Sequence, residues 1–247
     1  MKCKQQVNRI AFFVFLLLLA IRPALAADDL FHKATRAYSA GEYQLAIDTF
    51  ESLAVDGMSS TLLYNLANSY AQAGQTGMAI LNYEKASRLA PGDSDIRGNL
   101  ELLRKEKGLF QEEQTITQRF VGFLGLNQWT ILALCGFVLL ALILLLPPSL
   151  SMKKSSRRIV AVLCLLLTIS ASMGMYGQIR HYRDAVVVVA DARLRISPFE
   201  SAASTGSIQE GRLLTPLKTH NNYVLVKDET GRSGWLASKE LRSIATL

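Results

Sequence analysis

Hydrophobic residues follow three different patterns along this chain of 247 residues. Residues 27–107 carry repeated apolar stretches that predict helix pairs. Residues 129–146 and 159–176 are two uncharged apolar runs of eighteen residues each, and each is long enough to cross about 30 Å of hydrocarbon as a helix. Across residues 177–247, short apolar runs with period two alternate with glycine and asparagine turns, which predicts a small all-β unit.

Residues 1–26 predict a secretory signal peptide, because a positively charged start is followed by an apolar run over residues 10–21. Ala24 and Ala26 supply the small side chains that a signal peptidase needs, so cleavage is expected after Ala26. The alternative is an uncleaved N-terminal anchor, since the two kinds of segment share an apolar core. Either interpretation places residues 27–120 outside the cytoplasm.

The two apolar runs predict a transmembrane hairpin. Their connection, residues 147–158, contains two prolines, four basic residues and no acid, so the positive-inside rule predicts a cytoplasmic loop. Trp129 and Tyr176 stand at the outer ends, where amphipathic rings prefer the headgroup layer. Residues 108–128 predict either an interfacial helix that leads into the membrane or a plain linker. Three glycines are small enough to permit close helix contact: Gly136, Gly174 and Gly177.

An internal repeat underlies the first region, where residues 41–47 align with residues 74–80 at a shift of 33. The second repeat resembles the tetratricopeptide repeat (TPR) family at one stretch and five single positions: residues 63–70, Gly74, Ala79, Tyr83, Ala86 and Pro91. The resemblance implies two TPR repeats over residues 27–107. A cap helix over residues 95–107 is expected to cover the last repeat.

TPR arrays bind partner peptides in a concave groove, and the resemblance places six residues of this chain there: Tyr38, Tyr64, Asn65, Asn68, Gln72 and Asn99. Amides in such a groove can donate to and accept from a bound peptide backbone. The alternative is that these are solvated helix positions. Where some TPR domains carry a basic pair that binds a carboxylate, this chain has no base: Phe31, Thr35, Asp95 and Asn99. A ligand recognised by its C-terminal carboxylate is therefore disfavoured.

The last region resembles bacterial SH3-like domains over about residues 186–244. The resemblance rests on residues 192–198, on a glycine before an apolar strand, and on the closing Gly-Trp-Leu of residues 234–236. It implies binding of peptides or of cell-wall material, with Tyr223 and Trp235 lining a groove. The favoured alternative is that Trp235 belongs to the core, since so small a barrel needs its large aromatic residues for stability.

The net charge of +7 raises the question of nucleic-acid binding. Over half of the excess lies in the leader and in the connection between the apolar runs, whereas residues 27–120 have a net charge of −4 and residues 177–247 one of +3. Neither soluble region shows a dense basic face with base-reading residues, so nucleic acid is excluded as an expected partner.

The sequence offers no catalytic, metal-binding or cofactor-binding motif. The three cysteines, Cys3, Cys135 and Cys164, lie before or within apolar runs, so neither a disulfide framework nor a nucleophilic thiol is expected in the soluble regions. The three histidines lack the spacing of metal ligands, and neither GxSxG nor a P-loop occurs. We therefore predict a protein that is not an enzyme and needs no cofactor.

Together these elements predict a multidomain membrane protein with all-α TPR helix pairs, a two-helix transmembrane hairpin and a small all-β SH3-like barrel. This order, and residues 125–129 before the first apolar run, resemble the BatE family of the bacterial aerotolerance (Bat) operon. The resemblance implies a partner role beside von Willebrand A domain membrane proteins and a MoxR-type ATPase, in stress tolerance or envelope assembly. Two hypotheses follow: an envelope scaffold that binds other proteins, or a tether that binds peptidoglycan.

Overall fold

The computed structural model describes four stretches of the chain: residues 28–109, 116–145, 154–181 and 184–245. The signal peptide predicted for residues 1–26 lies outside the described residues, as does the first part of the predicted cytoplasmic loop. The described chain is mostly helical, with a separate curled antiparallel sheet after the helices. Two of its helices are long and apolar enough to cross a membrane. This confirms the predicted combination of helices, two apolar helical runs and a small all-β unit.

Five consecutive helices form the helical domain: α1 (residues 28–39), α2 (Tyr43–Asp56), α3 (Ser60–Gln72), α4 (Thr76–Leu89) and α5 (Ser94–Glu106). From α2 onward each helix packs against the next, as repeated helix pairs do. The hydroxyl of Ser59 accepts a hydrogen bond from the Leu62 N–H at 3.1 Å and so begins α3. Gly74 takes a φ of +76° in the turn before α4, a conformation that glycine adopts without strain.

The core of the helical domain is built from small residues at the helix crossings and large residues between them. Ala67 on α3 and Ala79 on α4 are fully buried, which lets these two helices approach closely. Leu66, Tyr70 and Tyr83 fill the neighbouring space and are also buried. These are the packing roles that the repeat pattern predicts for them.

The next three helices are α6 (Ile116–Gly122), α7 (Leu126–Leu145) and α8 (Lys154–His181). The two long helices pack together, and a Cβ added at Gly136 would lie only 2.7 Å from Oγ1 of Thr168. The region predicted as a loop up to residue 158 is already helical from Lys154. There Arg157 donates from Nη2 to the carbonyl of Leu144 at 3.0 Å, which satisfies a carbonyl at the open end of α7.

The start of α7 is fixed to α8 by a contact that we call the elbow, formed by Val121, Leu124, Trp129, Gly174 and Gln178. The indole Nε1 of Trp129 donates to the Val121 carbonyl at 3.0 Å, and Nε2 of Gln178 donates to the Val121 and Leu124 carbonyls at 2.8 and 2.9 Å. Trp129 is only 3% exposed. The ring lies over Gly174, where no side chain competes for the space, so Trp129 packs against protein, and its place in the headgroup layer stays a prediction.

Seven strands form the sheet domain: β1 (Ala185–Val187), β2 (Ala192–Arg195), β3 (Ser204–Ile208), β4 (Leu213–His220), β5 (Tyr223–Asp228), β6 (Ser233–Ala237) and β7 (Leu241–Ser243). All pair antiparallel in the order β3-β2-β6-β5-β4-β1-β7. In β5 and β6 every second residue is buried, which is the alternation that predicts this hairpin. Val224, Val226 and Leu236 supply its core side.

The turn between β5 and β6 is organised by Asp228. Its carboxylate accepts hydrogen bonds from Thr230 and Arg232, including one from Nε of Arg232 at 2.8 Å. Burial acts to raise the pKa of Asp228, but these hydrogen bonds and the Arg232 charge outweigh it, so the pKa lies below its usual value.

This depressed pKa predicts a pH dependence of stability. The carboxylate of Asp228 contributes stability above its pKa in the unfolded chain, about 3.9, and the contribution is lost as the pH falls through the lower folded value. In Asp228→Asn the protein is expected to be less stable at neutral pH and to lose less stability on acidification. Thermal unfolding of both proteins between neutral and acidic pH measures this. An equal loss of thermal stability on acidification in both proteins would contradict this prediction.

The sheet domain packs on the helical domain through a contact that we call the domain joint, formed by Gly77, Ile80, Leu109, Glu210 and Gly211. The Glu210 carboxylate accepts from the Gly77 N–H at 2.7 Å. Gln75, which begins α4, makes no side-chain cap of its own, so Glu210 supplies a carboxylate at this helix N-terminus. Gly211 lies against Ile80 and Leu109. The two soluble domains are therefore in direct contact.

The core is continuous across the domain joint. Val186 of β1 and Ile244 after β7 are fully buried and belong to the same hydrophobic cluster as the core of the helical domain. Nε2 of Gln209 also donates to the carbonyl of Lys107 at 2.7 Å. Separation of the two domains would expose these apolar side chains to water, which is unfavourable.

Candidate partner-binding surfaces

Four polar side chains meet where α3, α4 and α5 pack, and we call them the amide–phenol cluster: Tyr64, Asn68, Tyr83 and Asn99. Nδ2 of Asn99 donates to the hydroxyl of Tyr64 at 2.9 Å and to Oδ1 of Asn68 at 3.3 Å. The hydroxyl of Tyr83 donates to the same Asn68 oxygen. The ring centres of Tyr64 and Tyr83 are 6.0 Å apart. The cluster thus connects three helices through one hydrogen-bonded network.

The other three residues predicted for the groove divide into two groups. The side chain of Gln72 lies near the hydroxyl of Tyr38, and the ring centre of Tyr38 lies 5.7 Å from that of Tyr43. Asn65 instead donates from Nδ2 to the carbonyl of Thr61, one turn earlier in its own helix, at 2.9 Å. The structure therefore brings Tyr38 and Gln72 together, while Asn65 matches the alternative of a solvated helix position.

The phenols of Tyr38 and Tyr83 are uncharged near neutral pH. Burial raises the pKa of Tyr83 well above its usual range, and burial also raises the pKa of Tyr38. Both hydroxyls therefore remain donors. Neutral hydroxyls and amides that donate and accept can bind the peptide groups of an extended chain without attracting a particular charge.

Tyr83 is the residue of this cluster for which the repeat pattern predicts a packing role alone. Its ring is buried, as that assignment requires, but its hydroxyl reaches Asn68. Buried tyrosines usually find a partner for the hydroxyl. The sequence signal for this hydrogen bond was therefore a tyrosine at a packing position close to an asparagine that was predicted to line the groove.

On the sheet domain, Trp235 lies half-buried on the outer face and not in the buried core. Its placement in the core, the favoured alternative, is therefore wrong. In β6 the core position is taken by its neighbour Leu236, and the register sets Trp235 opposite Arg195 and Leu225 on the other face. Because side chains alternate along a strand, only one of two neighbours can face the core.

Trp235 belongs to a row of three rings that we call the aromatic ladder: Phe199, His220 and Trp235. The ring centre of Phe199 is 6.5 Å from that of His220, which is 6.4 Å from that of Trp235. Tyr223, paired with Ala237 of β6, lies on the same face under the guanidinium of Arg195, 5.7 Å from its ring centre. The two predicted groove residues thus share one face of the sheet.

Within the described part of the chain, no group of three or more His, Cys, Asp or Glu side chains is placed to hold a metal ion. No protein-family model matches the chain, and a comparison with curated proteins finds no match. The resemblances to TPR, SH3-like and BatE proteins therefore stay predictions.

Proposed function

We propose that this chain is a non-enzymatic scaffold of a bacterial envelope, with a TPR-type helical domain and an SH3-like sheet domain held outside the inner membrane by a transmembrane hairpin. The observation that carries the proposal is the domain joint. There Gly77, which precedes the two long helices in sequence, contacts Glu210, which follows them. Two spans return a chain to the side from which it entered, so a contact between the domains before and after them is compatible with a hairpin and incompatible with a single crossing.

The exposure of the two long helices supports a position in lipid. Only 11% and 17% of their most apolar windows is buried, whereas a core helix of a soluble protein would be mostly buried. Their connection carries Lys153, Lys154, Arg157 and Arg158 and no acid. The positive-inside rule then assigns this end of the hairpin to the cytoplasm and both soluble domains to the opposite side.

The amide–phenol cluster supports peptide binding by the helical domain. The sheet domain contacts α4 at Gly77 and Ile80, whereas Tyr64, Asn68 and Asn99 lie on α3 and α5 and stay half-buried. Half-buried amides retain access to a ligand and are already ordered by their mutual hydrogen bonds, which lowers the entropic cost of binding. By its resemblance to the BatE family, the chain would bind von Willebrand A domain membrane proteins in a Bat-type complex for aerotolerance.

Crosslinking of the full chain in native membranes, followed by identification of the captured proteins, tests the proposal. We expect capture of membrane proteins with von Willebrand A domains. The double variant Asn68→Ala/Asn99→Ala is expected to reduce capture by about tenfold, as the loss of one or two hydrogen bonds implies. Asn65→Ala is the matched control, since its amide bonds within its own helix, and it should leave capture unchanged. Capture of cytoplasmic proteins alone, or equal losses in both variants, would contradict the proposal.

The second candidate is a peptidoglycan tether that acts through the sheet domain. The aromatic ladder favours it, because exposed rings of this kind give an extended ligand a flat apolar surface. The full chain in detergent would then sediment with purified cell wall. Trp235→Ala should abolish the sedimentation and Asn68→Ala should not. Wall binding that survives Trp235→Ala would show that the aromatic ladder is not the wall-binding site.

A further inference from the structure

The outer face of the sheet is basic as well as aromatic. Four cations belong to the strands that build this face: Arg193, Arg195, Lys218 and Lys227. Arg193, Lys218 and Lys227 are exposed. Among the described residues of β2, β4, β5 and β6 the sole acidic residue is Asp228, whose side chain is fully buried and bound by Arg232. The face therefore offers cations without acids in the strands to neutralise them.

Glu240, an acidic residue outside these strands, contacts a cation of the face. Oε2 of Glu240 lies 3.6 Å from Nη1 of Arg195 and also accepts from the Ala237 N–H at 2.8 Å. Glu240 thus holds Arg195 in place over Tyr223. Arg193, Lys218 and Lys227 are exposed on the neighbouring strands, so their charges are accessible to a ligand.

The aromatic ladder has the spacing of an extended peptide. Its two successive ring separations are 6.5 and 6.4 Å. A β-strand rises about 3.3 Å per residue, so side chains on one of its faces repeat about every 6.6 Å. Alternate side chains of one extended segment therefore have a spacing that matches each pair of neighbouring rings in the ladder. Phe199 is 58% exposed, so this end of the aromatic ladder is accessible to a ligand.

We propose that the outer face of the sheet domain binds an extended acidic segment of a partner protein, with apolar side chains at alternate positions on the aromatic ladder and carboxylates beside the cations. The inference rests on the proposed scaffold function and adds the chemical class of the partner. The lack of exposed acid in the four strands gives the face a charge complementary to carboxylates, which speeds association and selects against basic partners.

Fluorescence anisotropy of the full chain in non-ionic detergent tests this with three labelled synthetic peptides. One alternates glutamate with tyrosine, the second replaces glutamate by lysine, and the third replaces tyrosine by serine. We expect the glutamate–tyrosine peptide to bind at least about tenfold more tightly than either of the others. Its binding should weaken with added salt, because exposed charges are screened. Equal binding of the lysine peptide would overturn the inference.

A charge-reversal variant localises the binding to this face: Arg193→Glu, Lys218→Glu and Lys227→Glu. The matched control makes the same change in net charge on the helical domain: Lys33→Glu, Arg36→Glu and Arg97→Glu. The first variant should lose about tenfold in affinity and the control little. Phe199→Ser, at an exposed ring, should weaken binding while leaving thermal unfolding unchanged. Equal losses in both triple variants would overturn the inference.

The outcomes separate this inference from the proposed function. If the acidic peptide does not bind, but crosslinking still captures partners in a way that depends on Asn68 and Asn99, the scaffold function stands and the inference falls. If purified cell wall binds through Trp235 while the acidic peptide does not, the face is a glycan surface and the inference is overturned. If crosslinking captures no partner through Asn68 and Asn99 but the acidic peptide still binds, only the proposed binding by the helical groove is contradicted.

Discussion

Replacement of Gly77 by alanine is expected to lower the thermal unfolding midpoint of the full chain by about 4–8 °C, which corresponds to a loss of roughly 2 kcal/mol in a chain of this size. A Cβ at this position would lie 2.5 Å from the Val187 carbonyl oxygen and 2.8 Å from the Val188 Cα. Both are backbone atoms, so the sheet domain would have to shift as a body. The shift would also lengthen the hydrogen bond from the Gly77 N–H to Glu210.

Gly98→Ala is the matched control for this variant. Gly98 lies in α5, and a Cβ there would meet nothing within 4 Å. The same change should therefore stabilise the protein by roughly 0.5–1 kcal/mol through helix propensity alone. Thermal unfolding of the two variants in the same detergent makes the comparison. A Gly77→Ala protein as stable as Gly98→Ala would show that the domains are not in contact there.

Gly174→Val is expected to displace the Trp129 ring and to cost about 3 kcal/mol, the sum of overpacking and the loss of one buried hydrogen bond. A Cβ at Gly174 would lie 2.5 Å from two ring atoms of Trp129. The ring cannot move without giving up its bond to the Val121 carbonyl. Because the elbow fixes α6 and the start of α7 to α8, its loss should also loosen the packing of these three helices.

Tryptophan fluorescence measures this in a Trp235→Phe background, where Trp129 is the remaining tryptophan of the two in the chain. Its emission should move to longer wavelength in Gly174→Val as the ring leaves its buried position. Ser172→Val is the control, since Ser172 is exposed on the same helix. Emission that changes equally in both variants would argue against the elbow.

The elements of the fold could be predicted because their signals are local. Repeated small residues such as Ala67 and Ala79 mark a helix crossing, and the alternation from Tyr223 onward marks a half-buried strand. The two long helices could be predicted from the length and apolar composition of the uncharged runs alone. Strand β1 ends at Val187, and the chain then turns towards β2 through Asp191, which adopts a positive φ of 51°.

The contacts between distant elements could not be predicted in this way. Glu210 and Gly77 are 133 residues apart, and neither residue differs in its local pattern from a solvated position. The sequence around Trp129 predicts an interfacial residue, and its contact with Gly174 on another helix has no local signal. Trp235 fits a core by size, but strand register decides which face it takes. Such choices depend on tertiary packing, which leaves no periodicity in a single sequence.

The most direct test of the account is the membrane side of the two soluble domains. Single cysteines at three exposed positions, Arg97→Cys, Ser155→Cys and Lys239→Cys, would be placed in a chain whose native cysteines are replaced, and intact spheroplasts would be treated with a membrane-impermeant maleimide. We expect labelling at positions 97 and 239 from outside and labelling at position 155 only after permeabilisation. Labelling of position 97 or 239 only after permeabilisation would contradict it.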